Sequence, residues 1–291
     1  MFSQLTILPT LAKFPSLRRI DVLSENMHPW TIPHMLAKLS LVRQWYISGV
    51  KVKGVSALRE VRQGPIESLA LVNVQGKAWD LYDTLAHTLR DCPLHNFKTV
   101  FAIGRVPTLT FNRLLSMIGP RLQRMALVFS SHVASEEYHG HGPRGGIDWE
   151  NAIFDTYDEL QFGGLHEIRR LVVSLTCNGE NLMHILCQLL RPDRLTHLTI
   201  LLPLRDLLQC SPFLYAEKTD LQLIDDLLSD KYTALKECRI IKASHDEYNM
   251  EDLYEDAKAG FPKTLAAGKL HLLWSVPGKG VEDLDDGFLW D

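Results

Sequence analysis

One short motif recurs along this sequence, and it limits the folds that the chain can adopt. The motif has an apolar residue, two variable residues, a second apolar residue, one variable residue and a third apolar residue. It follows a turn signal or the end of an apolar helical pattern. The copies are Leu17-Ile20-Val22, Val42-Trp45-Ile47, Ile66-Leu69-Leu71, Phe97-Val100-Ala102, Leu122-Met125-Leu127, Ile168-Leu171-Val173, Leu195-Leu198-Ile200 and Leu235-Cys238-Ile240, with a degenerate ninth around Leu270 and Leu272.

The spacing of these copies indicates a repeat. The central residues of the eight clear copies follow one another at intervals of 24 to 31 residues, except for two longer intervals of 46 and 40 residues. The longer intervals contain extra sequence, so we interpret them as insertions into a regular array. Similarity at a fixed period is the signature of repeat architectures.

Helical patterns fill the sequence between the motifs. In "AWDLYDTLAHTLRDC", Leu81, Leu85 and Leu89 are four residues apart, which places them on one face of a helix. Three further segments repeat this design: "TFNRLLSMIGP" with Phe111, Leu114, Leu115 and Ile118, "NGENLMHILCQLLRP" with Leu182, Ile185, Leu186 and Leu189, and "TDLQLIDDLLSD" with Leu223, Leu227 and Leu228. We therefore expect helices there.

A short strand followed by a helix, repeated about every 25 residues, predicts parallel strands joined by helical crossovers. One such unit cannot bury its own apolar faces, so neighbouring units must stack. The central residues Ile20, Leu69, Met125, Leu171 and Leu198 are therefore expected to be buried at equivalent places in their strands.

A doubly wound α/β domain is the alternative, because it also alternates strands and helices. Such a domain carries a glycine-rich phosphate turn after its first strand, and "IDVLSENMHPW" has none. Its strands are usually continuous apolar runs, whereas these strands have polar residues between the apolar ones. The sequence favours the repeat.

The motif resembles the leucine-rich repeat, whose strand reads Leu-x-x-Leu-x-Leu-x-x-Asn/Cys. The resemblance covers most of the chain, although the closing asparagine is absent from every copy. The irregular units are most similar to the ribonuclease-inhibitor-like class and to the repeats of fungal F-box proteins. The resemblance implies an α/β solenoid with parallel strands on its concave face and helices on its convex face. It would be a single array over 1–291 of about eight to nine units, with a loop insertion near 132–148 and an acidic segment at 281–291.

The overall charge indicates no nucleic-acid or membrane partner. The chain has 291 residues, a formal net charge of −4, 46% hydrophobic residues and 23% charged residues, which is typical of a globular protein. No run approaches the roughly 18 apolar residues that span a bilayer. The five cysteines are scattered without a Cys-x-x-Cys pair, which favours reduced thiols and an intracellular location.

The insertion "SSHVASEEYHGHGPRGGIDWEN" is the most suggestive stretch for chemistry. It contains His132, Glu136, Glu137, His139 and His141, and a His-x-His pair can bind zinc when a third ligand is near. Spacing alone does not provide the groups that orient metal-binding histidines, so we favour a solvated loop. An α/β enzyme, metal-dependent or not, that uses the His132–His141 insertion is the alternative function. No hydrolase or kinase motif is present, so we expect no enzymatic activity, cofactor or metal.

Strand alternation predicts where a partner would bind. The residues before and after each central residue should project from the concave face. Aromatic residues and arginines dominate interface hot spots. The expected partner-binding residues are Arg19, Tyr46, Phe101, Arg124, Arg170, His197 and Arg239. The partner is expected to be a protein, and the resemblance to F-box proteins makes this chain a candidate substrate-recognition part. The F-box itself is not found, because the first repeat begins by residue 14, so we do not expect adaptor binding.

Overall fold

The computed structural model describes thirteen parts of the chain. These are residues 11, 13–14, 16–23, 31–49, 51–52, 65–72, 74–76, 78–102, 108–130, 159–174, 179–202, 218–242 and 250–274. The insertion near 132–148, including its histidines, and the acidic segment 281–291 lie outside the described residues.

Nine of the described strands form one parallel sheet, in which each strand lies beside the next one in sequence. They are β1 (Arg19–Leu23), β2 (Gln44–Ser48), β4 (Ser68–Val72), β6 (Asn96–Ala102), β7 (Arg124–Ser130), β8 (Arg170–Ser174), β9 (His197–Leu202), β10 (Glu237–Lys242) and β11 (Leu270–Trp274). Two short strands, β3 (Lys51–Val52) and β5 (Gln75–Gly76), pair separately. The predicted parallel α/β arrangement is confirmed.

Helices connect most of the strands and lie against one face of the sheet. They are α1 (Thr31–Lys38), α2 (Ala78–Thr88), α3 (Thr108–Ile118), α4 (Gly179–Gln188), α5 (Lys218–Lys231), α6 (Met250–Gly260) and α7 (Pro262–Ala266). Their buried apolar residues share one core with alternate residues of the strands. A doubly wound sheet reverses its strand order and has helices on both faces. Neither feature occurs in the described part of this chain.

Helices α3 and α4 are each followed by a one-turn 3-10 helix that precedes the next strand. Gly119–Arg121 and Pro192–Arg194 occupy these turns. In each turn the first residue's carbonyl accepts a hydrogen bond from the first apolar residue of the motif, at 3.1 Å for Leu122 and 3.3 Å for Leu195. The recurring Pro or Gly therefore stops a helix and turns the chain into the following strand.

The helix-facing core has one residue from each strand at its centre. This central row consists of Ile20, Trp45, Leu69, Phe97, Met125, Leu171, Leu198, Cys238 and Leu270. The predicted burial of Leu69, Met125, Leu171 and Leu198 is confirmed. Ile20 is only half-buried, because β1 is an edge strand with a neighbour on one side.

The register of β6 differs from the prediction. Phe97 pairs with Leu69 on one side and Met125 on the other, so Phe97 and not Val100 is the central residue. The true motif is Leu94-Phe97-Thr99, in which a threonine stands at the third apolar position. With Phe97 at the centre, both neighbouring intervals become 28 residues, instead of the uneven 31 and 25.

The helical patterns are mostly confirmed. Leu81, Leu85 and Leu89 are buried, as are the predicted residues of α3 and α4. In α5 the prediction was wrong by one position, because Leu223 is exposed and the buried face is formed by Leu221, Ile224 and Leu228. These three residues are spaced three and four apart, as helix geometry requires.

Candidate functional site

Two rows of side chains lie on the sheet face opposite the helices, because alternate strand residues point to opposite faces. The leading row precedes the central row and consists of Arg19, Gln44, Ser68, Asn96, Arg124, Arg170, His197 and Glu237. The trailing row follows the central row and consists of Asp21, Tyr46, Ala70, Lys98, Ala126, Val172, Thr199, Arg239 and His271. Each row crosses the sheet with one residue per strand, about 4.8 Å apart.

The trailing row is buried in the four middle strands. Ala70, Lys98, Ala126 and Val172 are at most 2% exposed. They adjoin a second apolar cluster, formed by Ala70, Val72, Val100, Ala126, Val128, Val172 and Leu201. The expectation that both rows face a partner along the whole sheet was therefore wrong for these strands. The partly exposed leading row is the surface that remains there.

The predicted site residue Phe101 does not belong to either row. Phe101 pairs with Phe129 of β7, four positions beyond the central residue Phe97. The trailing position of β6 holds Lys98, and the leading position holds Asn96 instead of the expected Thr99. Thr99 is fully buried on the helix side of the sheet. The error has one cause, which is the misplaced register of β6.

The leading row is polar and largely charge-balanced in the first strands. Arg19 donates two hydrogen bonds to Asp21, the closer at 2.8 Å. Arg43, at the amino end of β2, forms an ion pair of 2.6 Å with Glu67 at the amino end of β4. Asn96 Nδ2 donates a hydrogen bond to Ser68 Oγ at 2.8 Å. The predicted residue Tyr46 is half-buried and packs against the second apolar cluster, so it is not a projecting aromatic side chain.

The later strands bring four predicted site residues together. Arg124 pairs in register with Arg170, and Arg170 pairs with His197. His197 is next to Glu237 in the same row, with Nε2 at 3.9 Å from a carboxylate oxygen. Arg239, two residues along β10, forms an ion pair of 2.8 Å with Glu237. Arg19 lies at the opposite edge of the sheet from this group.

The neighbouring charges displace two pKa values within this group. The hydrogen bond from Arg239 holds the pKa of Glu237 below its usual range, so this carboxylate is ionised at neutral pH. Partial burial, followed by the charge of Arg170, lowers the pKa of His197, while Glu237 partly opposes that change. His197 is therefore mainly neutral at pH 7 and becomes an additional cation in acid.

Further cations at the amino ends of the later strands were missed by the sequence reasoning. Arg169 and Lys236 directly precede the leading row in β8 and β10, and Lys269 precedes the central residue of β11. Arg169 and Lys236 are exposed, and Lys269 is half-buried. Their signal was present in the sequence: in each case a Lys or Arg stands one or two residues before the central apolar residue of the motif.

The described residues provide little for catalysis. No group of three His, Cys, Asp or Glu side chains in the described ranges could hold a metal ion. Burial raises the pKa of the Cys238 thiol to about 12, and burial is also the main cause of the raised pKa of Cys92. Both thiols are therefore protonated and poor nucleophiles at neutral pH.

Neither the models of known protein families nor any curated protein sequence matches this chain. The fold alone therefore defines its class: an α/β protein built on a nine-stranded parallel sheet in sequence order. Across the described residues, no helix has the length and apolar character needed to cross a membrane.

Proposed function

We propose that this chain is a non-enzymatic protein-interaction module of the leucine-rich-repeat type. Its strands would line the concave face of a solenoid and its helices the convex face. Three features support this proposal: the recurring motif, the sequence order of the parallel strands, and the helices packed on one face. Repeat arrays of this kind offer extended, rigid surfaces that suit protein partners.

The observation that carries the proposal is the pairing of Arg124 with Arg170 on adjacent strands. Both side chains are partly exposed at the amino ends of β7 and β8. Arginines are enriched in interface hot spots because the planar guanidinium can form several hydrogen bonds to one carboxylate. The partner is expected to place carboxylates against these two residues.

The test is to compare the affinity of a purified partner for two double variants. Partners captured from a cell lysate are identified by mass spectrometry, and the tightest is purified for titration calorimetry. The variant Arg124→Ala/Arg170→Ala should weaken binding about ten-fold or more without unfolding the protein. The control Arg90→Ala/Lys231→Ala removes exposed cations just after α2 and at the end of α5, and should bind like the wild type.

An unchanged affinity of the Arg124→Ala/Arg170→Ala variant would overturn the proposal for this face. The helices or the loops at the ends of the sheet would then be the places to test. Circular dichroism melts of both variants should stay within a few degrees of the wild type, which separates lost binding from lost folding.

We place this module inside the cell, because its described cysteines Cys92, Cys187 and Cys238 are free thiols. The resemblance to the repeat region of F-box proteins suggests a role in selecting a protein for a larger assembly. A pull-down that recovers ubiquitin-ligase subunits together with the partner would support that role.

A further inference from the structure

The cations of the leading edge are concentrated in the second half of the sheet. At β7 to β11, the residues within two positions of the central row include six Lys or Arg and a single acidic residue, Glu237. The six are Arg124, Arg169, Arg170, Lys236, Arg239 and Lys269, and we call them the basic edge. The whole chain has a net charge of −4, so this local excess is opposite in sign to the overall charge.

The two halves of the sheet differ in how their charges are compensated. At β1 to β4, Arg19 and Arg43 are held by Asp21 and Glu67 at 2.8 and 2.6 Å. On the basic edge, Arg239 is paired with Glu237 at 2.8 Å. By contrast, no acidic partner within the described ranges contacts Arg169, Arg170, Lys236 or Lys269. The positive charge of the basic edge is therefore available to an external anion.

We infer that the basic edge binds a carboxylate-rich, extended segment of a protein partner. This inference rests on the proposed function and adds the chemistry of the partner to it. The cations extend over five neighbouring strands, a width of about 19 Å at about 4.8 Å per strand. Side chains on one face of an extended peptide recur every 6.7 Å or so, so three or four acidic residues at alternate positions match this width.

The distribution of the cations favours carboxylates over a single phosphate group. A phosphorylated residue concentrates its charge at one point and is typically held by two or three convergent cations. Here the cations are spread along a line, with His197 and Glu237 between Arg170 and Lys269. Single-stranded nucleic acid also has distributed charge, but its binding sites stack bases on aromatic side chains. The described leading and trailing positions of β7 to β11 hold no aromatic residue of the Phe, Tyr or Trp type.

The test uses the full chain and defined peptides in fluorescence anisotropy. The probe is a fluorescein-labelled peptide of ten residues with alternating Glu and Ser, and its matched control has Gln in place of Glu. The Glu peptide should bind at low salt, bind more weakly as salt is raised, and bind at least about ten-fold more tightly than the Gln peptide.

Variants then locate the binding. Arg170→Ala/Lys269→Ala should weaken binding of the Glu peptide about ten-fold, whereas Arg19→Ala, which removes an arginine already paired with Asp21, should change it less than two-fold. Equal loss in both variants would overturn the assignment to the basic edge.

Two further probes decide the chemistry of the ligand. A peptide with one phosphoserine among neutral residues, or a ten-nucleotide oligouridine, should bind more weakly than the Glu peptide. Tighter binding of either probe would overturn the inference of a carboxylate-rich partner. If the Glu peptide fails to bind but the captured partner still requires Arg124 and Arg170, this inference fails while the proposed function stands.

Discussion

The phenolic oxygen of Tyr82 on helix α2 lies 2.8 Å from Oγ1 of Thr99 on strand β6, and both residues are fully buried. This hydrogen bond gives the threonine a polar partner inside an apolar core. It also fixes the register of β6, because it can form only if Thr99 faces the helices. Tyr82 further packs edge-to-face on Phe111 of α3, with ring centroids 5.5 Å apart.

The first prediction concerns the energy of this contact. Thr99→Val keeps the shape of the side chain and removes the hydroxyl, so it should lower the free energy of unfolding by about 1 kcal/mol. Urea unfolding monitored by circular dichroism measures the change. A double-mutant cycle with Tyr82→Phe should show a coupling of similar size, since both variants remove the same bond. Additive effects would show that the two hydroxyls do not interact.

The sequence predicted the fold more fully than the site. The motif period and the helical spacing were sufficient for eight of the nine central residues, because apolar burial follows simple periodicities. The register of β6 was missed because Thr99 is polar and its burial depends on Tyr82, which is 17 residues away. Even spacing of the central residues on either side of Phe97 was the available signal.

The accessibility of the site could not be predicted from strand alternation. Alternation correctly placed Ala70, Ala126 and Val172 on the face opposite the helices, but it says nothing about what else packs there. These residues are buried in the second apolar cluster. Two small residues and a valine in a row, next to valines at the following row, were an indication of an apolar layer on that face.

The second prediction tests the central row. Leu198 of β9 is fully buried between its neighbours Leu171 and Cys238. Leu198→Ala should lower the free energy of unfolding by about 2–5 kcal/mol, through lost burial and a residual cavity. Leu273→Ala is the control, because Leu273 lies on the neighbouring sheet edge and is 41% exposed. A cost below about 1 kcal/mol for Leu198→Ala would contradict the packing of this row.

The third prediction contrasts two adjacent acidic residues of α5. Asp225 is fully buried and accepts hydrogen bonds from the backbone N–H groups of Lys263 and Thr264, at 2.7 and 2.9 Å, and from the Thr264 hydroxyl. These donors are at the start of α7, so Asp225 caps that helix from a neighbouring element. Asp225→Ala should cost at least about 2 kcal/mol, because it leaves buried donors without this acceptor.

The neighbouring Asp226 provides the matched control. It forms an ion pair of 3.0 Å with Lys263, but both side chains are 52% exposed. Exposed ion pairs contribute about 0–1 kcal/mol, so Asp226→Ala should have a small effect. Thermal unfolding of the two variants side by side measures the difference, and equal losses would show that Asp225 has no special role.

The last prediction is the pH dependence of stability that arises from His197. Partial burial and the charge of Arg170 lower the pKa of this imidazole in the folded protein. The unfolded chain therefore takes up the proton at a higher pH, near the ordinary histidine pKa of about 6.5. It follows that the free energy of unfolding decreases as the pH falls through that value, and that the loss is complete below the folded pKa.

The variant His197→Gln should remove this decrease while leaving the loss of stability at more acidic pH. That second loss includes the contribution of Glu237, whose pKa is lowered mainly by its hydrogen bond to Arg239, so its stabilising effect disappears as the pH falls through the folded pKa. Urea unfolding at several pH values between about 8 and 3 resolves the two regions. His166→Gln, which changes an exposed histidine, should retain the wild-type profile. A profile of His197→Gln that parallels the wild type between pH 7 and 5 would show that His197 is not desolvated at the leading row.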